Sequence, residues 1–420
     1  MELPVPNPWM LLPFVALLAM IATGPVLFPN LWAKHYPKAA LVLAVVVALY
    51  YLLGLEAYHR VFETAHEYVS FIAIIGALYV VSGGIHIRVK GEATPWVNVL
   101  FLLTGAIISN VLGTTGASML LIRPWLRMNK YRVTAHHVVF FIFIVSNVGG
   151  CLTPIGDPPL FLGYLEGVPF FWVLQQCWPM WLVANGILLT MFFVVDSLNY
   201  HRAPKTVRDK LTHHEEWRFD GMINLVFLAI ILAAVFIKGP MFLREIVMLG
   251  AASASYFITR KSVHESNDFN FHPIMEVAIL FIGIFITMMP AMDWLKSHAG
   301  QLGDLTPALV YWSGGALSSV LDNAPTYYVF FGILQAKSGA TAHDITPLLQ
   351  TRSFELVAIS VAAVFFGANT YIGNGPNFMV KAIAQQQKIH TPSFFGYILK
   401  FSLPFMLPML FVLWLIFFRH

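Results

Sequence analysis

"SNVGGCLTPIGDPPLF", residues 146–161, interrupts a chain that is otherwise apolar. Pro154, Pro158 and Pro159 have no amide donor. A continuous helix through them would lose hydrogen bonds and clash with the preceding turn, so the stretch predicts a helix that enters, unwinds and restarts. The solvent sets the cost of that unwinding. Of the 420 residues, 58% are hydrophobic and only 11% charged, with a mean hydropathy of +0.71, a balance foreign to water-soluble domains. Apolar runs recur at 8–28, 38–55, 67–85, 219–237, 242–258, 274–292 and 393–418. Each is close to the roughly 20 residues that cross a hydrocarbon core of about 30 Å. These features predict an all-α polytopic membrane protein, and the lipid bilayer is its first partner. Unwound backbone at that depth must be satisfied by protein groups or line a cavity.

A second stretch has the same grammar. "TPIGDPPLF" (153–161) lies over "TYIGNGPNF" (370–378), "SNVLGTTGASMLL" (109–121) over "SSVLDNAPTYYVF" (318–330), and Glu67 over Glu276, in one order along the chain. Matching polar interruptions, and not merely matching apolar runs, predict an internal repeat.

Basic residues concentrate in cytoplasmic loops. The segment 94–124 is bordered on both sides by basic loops, "IRVKGE" and "RPWLRMNKYR", so both its ends fall on one side and it is predicted to be a re-entrant hairpin tipped by "NVLGTTG". Carried through the chain, this logic gives five spans plus one re-entrant hairpin per half, with broken helices at the midplane. An odd number of crossings makes the repeat inverted in topology. The first half is residues 1–198, with hairpin 94–124 and broken helix 134–165; the second is 219–420, with hairpin 304–336 and broken helix 353–385. A polar, basic cytoplasmic link, 199–218, joins them. The opening "MELPVPNPW" carries an acid where a signal peptide has basic residues, so the first span is read as retained.

Broken helices present their ends to ligands. An acid at membrane depth costs roughly 2.5–3.5 kcal/mol even on lenient scales, which marks Asp157 and Asp322 as functional candidates. The interruptions also supply Asn147, Thr153, Asn323 and Asn374, with Thr114, Thr115, Asn369 and Thr370 beside them. These are hard oxygen donors of the kind that suit a small hard cation. The four interruptions contain no Arg or Lys to hold an anion. Glu67 and Glu276 begin spans and are expected near the membrane surface, and His136 and His137 are expected at the interface beside the basic loop. Cys151 and Cys177 suggest no disulfide framework. No nucleotide-binding loop, metal-ligand cluster or nucleophile elbow is present, so neither an enzyme nor a resident cofactor is expected, and the scattered basic residues give no nucleic-acid signal.

"SNVGGCLTPIGDPP", "SSVLDNAPT" and "GANTYIGNGPN" together resemble the ion transporter superfamily, over about residues 60–390. That superfamily includes NhaD-type sodium/proton antiporters, arsenite carriers, citrate carriers and dicarboxylate/sodium symporters. Gly156-Asp157 after "TPI" and the "DNAP" at Asp322–Pro325 look most like the NhaD-type branch. The resemblance implies a homodimer in a bacterial inner membrane, with scaffold helices and a mobile unit of hairpins and broken helices moving like an elevator. The function expected is exchange of sodium or lithium for protons by competition at the intramembrane aspartates, with sodium at Asp157, Asp322 and Asn323. The alternative is a proton- or sodium-coupled carrier of an organic anion such as citrate.

Overall fold

The structure, a computed structural model, describes residues 5–89, 93–202, 218–237, 239–298, 301, 303–341 and 344–419. Most of the polar link 199–218 lies outside the described residues. Eight helices among the described residues are long and apolar enough to cross a membrane. The chain is an all-α, multi-pass membrane protein.

The helices are α1 (Leu12–Leu27), α2 (Pro29–Leu49, continued by a wider turn to Gly54), α3 (Tyr58–Gly83), α4 (Pro95–Met128), α5 (Ala135–Ile144), α6 (Pro158–Leu165) and α7 (Trp172–Arg202). Beyond the link follow α8 (Asn224–Ala234), α9 (Leu243–Ile258), α10 (His272–His298), α11 (Pro307–Val320), α12 (Asn323–Ser338), α13 (Ser353–Phe366), α14 (Gly375–Gln386) and α15 (Phe394–Phe418). Two short strands, β1 (His86–Arg88) and β2 (Arg218–Asp220), pair antiparallel and tie the end of α3 to the start of α8.

α1–α3 pack with α8–α10, while α4–α7 pack with α11–α15; α3 and α10 make the junction through α4, α6 and α12. The span containing α5 is 89% buried, against 22% for that containing α2. The broken helices are therefore central, where their open backbone meets protein and not lipid.

α4 is two arms folded together. A straight helix of its length would run about 50 Å, yet Asn98 near its start and Asn129 just past its end exchange side-chain hydrogen bonds of 2.8 and 3.0 Å. The reversal is at Gly113, whose φ of 72° and ψ of 158° suit glycine and few other residues. α11 and α12 form the corresponding pair, with Leu321 and Asp322 extended between them. Thr94-Pro95 and Thr306-Pro307 open the two hairpins alike: each threonine hydroxyl accepts an orphan amide, from Val97 and Leu309, and each proline occupies a position that needs no donor.

The two breaks are also built alike. After α5 comes a 3-10 turn (Val148–Leu152) and after α13 another (Gly367–Asn369), each followed by an extended threonine, Thr153 or Thr370, and a restart at Asp157 or Asn374. Thr153 donates to the Asn110 carbonyl (2.6 Å) and accepts from the Gly156 amide (3.1 Å). Thr370 does the same with Ser319 (2.6 Å) and Gly373 (3.1 Å). Outer helices add donors to each break: Trp181 of α7 donates to the Gly149 carbonyl (2.9 Å), and Tyr397 of α15 to the Ala368 carbonyl (2.8 Å).

Gly156 crosses against Gly150 so closely that a β-carbon on Gly156 would overlap the Gly150 carbonyl. Gly156→Ala is therefore expected to destabilise the fold by about 1–3 kcal/mol, read as a lowered thermal midpoint in detergent. Gly250→Ala, where a β-carbon meets nothing within 4 Å, should leave the midpoint in place.

Several expectations need correction. Glu67 does not begin a span; α3 starts at Tyr58, so Glu67 lies more than two turns inside the helix. The run 219–237 does not form one spanning helix. Gly221, at φ 81° against the Gly84 carbonyl, delays the start, and α8 is 11 residues, about 16 Å of rise. The second span starts at Pro29 and not at 38, because Pro29 and Asn30 restart the helix directly after the turn at Phe28.

Candidate functional site

The tip of α4, the restart of α6, the start of α12 and the restart of α14 converge on Asp157, which is 1% exposed. Asp157 receives the Thr114 hydroxyl at 2.6 Å, the Asn374 amide at 3.1 Å and the Asn323 amide in a short contact. Both halves of the chain thus supply donors to one carboxylate. Each donor stands where the backbone is irregular: Thr114 follows the Gly113 reversal, Asn323 follows the extended Asp322, and Asn374 precedes α14. The Thr114 amide is itself fixed, donating to the Gly156 carbonyl at 2.8 Å.

A second layer holds this set. The Asn374 amide also donates to the Ser146 carbonyl and to Asn147 Oδ1, both at 3.1 Å. Asn147 donates to the Ile142 carbonyl (2.8 Å) and to Asn377 Oδ1 (2.7 Å). Asn377 in turn donates to the Gly367 and Thr370 carbonyls at 2.8 and 2.9 Å. The Ile142, Ser146, Gly367 and Thr370 carbonyls are thus each met by an asparagine, and Asn147 and Asn377 stitch the two breaks together.

Asn323 Oδ1 is buried with no hydrogen-bond partner among the described residues, a hard acceptor beside Asp157 without a donor. Between α3 and this tip lies a cavity of about 20 Å³, lined by Leu78, Gly113, Thr115, Ile155 and Asp157 among others. That is room for one water-sized or ion-sized occupant. Among the described residues, no Lys or Arg hydrogen-bonds to Asp157, Asn323 or Asn374.

Of the residues singled out in the sequence, Asp157, Asn323, Asn374, Thr114 and Asn147 come together, and Thr115 lines the adjoining cavity. Asp322 is half-buried. Its carboxylate caps α12 at the Ala324 amide (3.1 Å), and it stands near enough for its charge to act on Asp157. Thr153 and Thr370 do not reach Asp157, because their hydroxyls are spent closing the loops of the breaks. Asn369 is likewise turned away, donating to the Ser319 hydroxyl at 2.9 Å.

His136 and His137 stand at the start of α5 but do not face solvent. Both are buried with a nitrogen near Asp196 Oδ1, at 3.2 and 3.1 Å, and Arg132 grips both oxygens of the same carboxylate. With Asn98 and Asn129, Asp196 ties the base of the first hairpin to α7. The sequence reading missed Asn377, although it stands in the "GNGPN" already marked as a break. It also missed Asp196 and Glu166, each a single acid beside an apolar run.

A family model described as "Putative citrate transport" matches residues 4–418. No curated protein matches the chain.

Proposed function

The chain belongs to this citrate-transport family, and we propose that it is a secondary transporter in which Asp157 binds a small monovalent cation in competition with protons. The observation that carries this reading is one buried carboxylate, surrounded by hydroxyl and carboxamide groups from both halves, beside a cavity of about 20 Å³. The unpartnered Asn323 Oδ1 adds a second hard donor. Occupied by a proton or by a cation, Asp157 is neutral and can change sides of the membrane; empty, it is a bare charge and cannot. Exchange then needs no other energy source. An inverted repeat, with the hairpins and broken helices moving as one body against α1–α3 and α8–α10, is the arrangement we propose for the movement.

A second reading is favoured by the description of the family: the cation at Asp157 drives entry of an organic anion such as citrate. The anion would then be held by amides and hydroxyls, since no cationic side chain contacts Asp157, Asn323 or Asn374 among the described residues.

One experiment separates these readings. Proteoliposomes carrying an internal pH dye are expected to show proton movement when sodium or lithium is added, without citrate. Absence of a response to any alkali cation, with accumulation of labelled citrate, would overturn exchange and establish the second reading.

A further inference from the structure

A second buried acid lies at the other end of α6. Glu166 is 8% exposed and follows the last turn of the helix, where the helix dipole opposes a negative charge. Nine residues of rise, about 13 Å, separate it from Asp157. The Tyr328 hydroxyl donates to Glu166 in a short hydrogen bond and lies 3.3 Å from Glu67 Oε2. One hydroxyl proton thus faces two carboxylates. Gln335 sits two turns further along α12, 2% exposed, with its amide nitrogen 3.5 Å from Glu166 Oε2. Among the described residues Gln335 Oε1 has no hydrogen-bond partner.

The facing groups come from five helices. α2 and its continuation bring Tyr51, α3 brings Arg60 and Glu67, α6 brings Glu166, α10 brings Asp293, and α12 brings Tyr328 and Gln335. Arg60 is held by Asp293 (3.2 Å), which also accepts from Tyr51 (2.7 Å), and the charge of Arg60 is felt by Glu67, Tyr328 and Glu166.

A proton on Glu166 Oε2 would complete this cluster. The acid O–H would donate to Gln335 Oε1 once the carboxamide turns over, its oxygen and nitrogen being interchangeable in shape. We propose that Glu166 is a second proton-holding carboxyl, joined through Tyr328 to Glu67, separate from the Asp157 centre and serving the side of the membrane where Arg60 and Asp293 lie. In the relay the Glu166 carboxyl turns its O–H from Gln335 to Tyr328 and the Tyr328 hydroxyl hydrogen turns to Glu67 Oε2, so that Tyr328 Oη takes the proton from Glu166 as its own passes to Glu67. Glu166 ends ionised, Glu67 protonated and the tyrosine neutral. The relay rests on the cation–proton reading of Asp157; the protonation of Glu166 does not.

Infrared difference spectra of the purified full chain, H₂O against D₂O, test the site. A protonated-carboxyl C=O band that shifts in D₂O is expected in the unmodified protein and in Asp157→Asn, and is expected to vanish in Glu166→Gln. In proteoliposomes, Glu166→Gln and the shape-conserving Tyr328→Phe should slow cation-driven proton movement at least about tenfold. Sodium-dependent thermal stabilisation should be kept by both and lost in Asp157→Asn. An unchanged carboxyl band in Glu166→Gln overturns the proposal. Unmodified proton movement in both variants overturns the relay. If the unmodified protein moves no protons with any cation, the reading of Asp157 has failed and the infrared band alone decides Glu166.

Discussion

Asp157→Asn is expected to reduce cation-dependent transport by about 100-fold or more while leaving the protein folded. The substitution keeps shape and removes charge. Thr114, Asn323 and Asn374 all present donors to the carboxylate, and an amide at this position keeps only one, uncharged, acceptor oxygen, so the charge-assisted bonds are lost together with the charge a cation binds. A hydrogen bond to a charged group contributes roughly 1.5–3 kcal/mol. Losing about 3 kcal/mol corresponds to about 100-fold at 1.36 kcal/mol per decade. Proton movement on sodium addition measures the loss, and a symmetric gel-filtration peak confirms the fold. Asp322→Asn should cost less, about tenfold or below, because asparagine also caps a helix well and the present role of Asp322 is to accept from Ala324. Equal activity of Asp157→Asn and the unmodified protein would remove Asp157 from the transport centre.

Asp196→Ala is expected to produce the largest loss of stability, about 3–5 kcal/mol. The carboxylate is fully buried and receives Arg132 on both oxygens, His136 and His137 nearby, and the Asn98 amide at 2.9 Å. Removing it leaves a buried guanidinium without its counter-charge and releases the base of the first hairpin from α7. Arg132→Met combined with Asp196→Leu should recover part of the stability, since an apolar pair of similar volume replaces a buried ion pair at little cost. The thermal midpoint and the yield of monodisperse protein read both effects. A double variant no more stable than Asp196→Ala alone would show that the hydrogen bonds of Asp196, and not charge balance, hold the hairpin.

Both breaks were legible because they rest on local chemistry. Pro154, Pro158 and Pro159, three within six residues, together disfavour a continuous helix wherever the chain lies, and the match of "TPIGDPPLF" with "TYIGNGPNF" pointed to the second. Residue type alone, however, did not separate ligand from scaffold. Thr153 and Thr114 are both hydroxyls beside an interruption, yet one closes its own loop through Asn110 and Gly156 while the other reaches Asp157. The partners of Glu67 and of the pair His136 and His137 were hidden for the same reason. These partners, Tyr328 for the first and Asp196 for the other two, lie 261, 60 and 59 positions away along the chain, where hydropathy patterns carry no signal.

The sequence by itself determined that the chain crosses a membrane, that two of its helices unwind, and that an acid sits in the first of those breaks. Each follows from properties a residue carries with it: transfer free energy, a missing amide donor, a charge that membrane burial penalises. Only the tertiary structure decided which polar groups meet. The partners of Asp157 come from 43, 166 and 217 positions away, and hydrogen bonds of about 3 Å depend on how helices pack. In "SNVGGCLTPIGDPPLF" the prolines and glycines carry the local instruction to unwind. Which groups then meet Asp157 depends on three helix ends that packing brings to it.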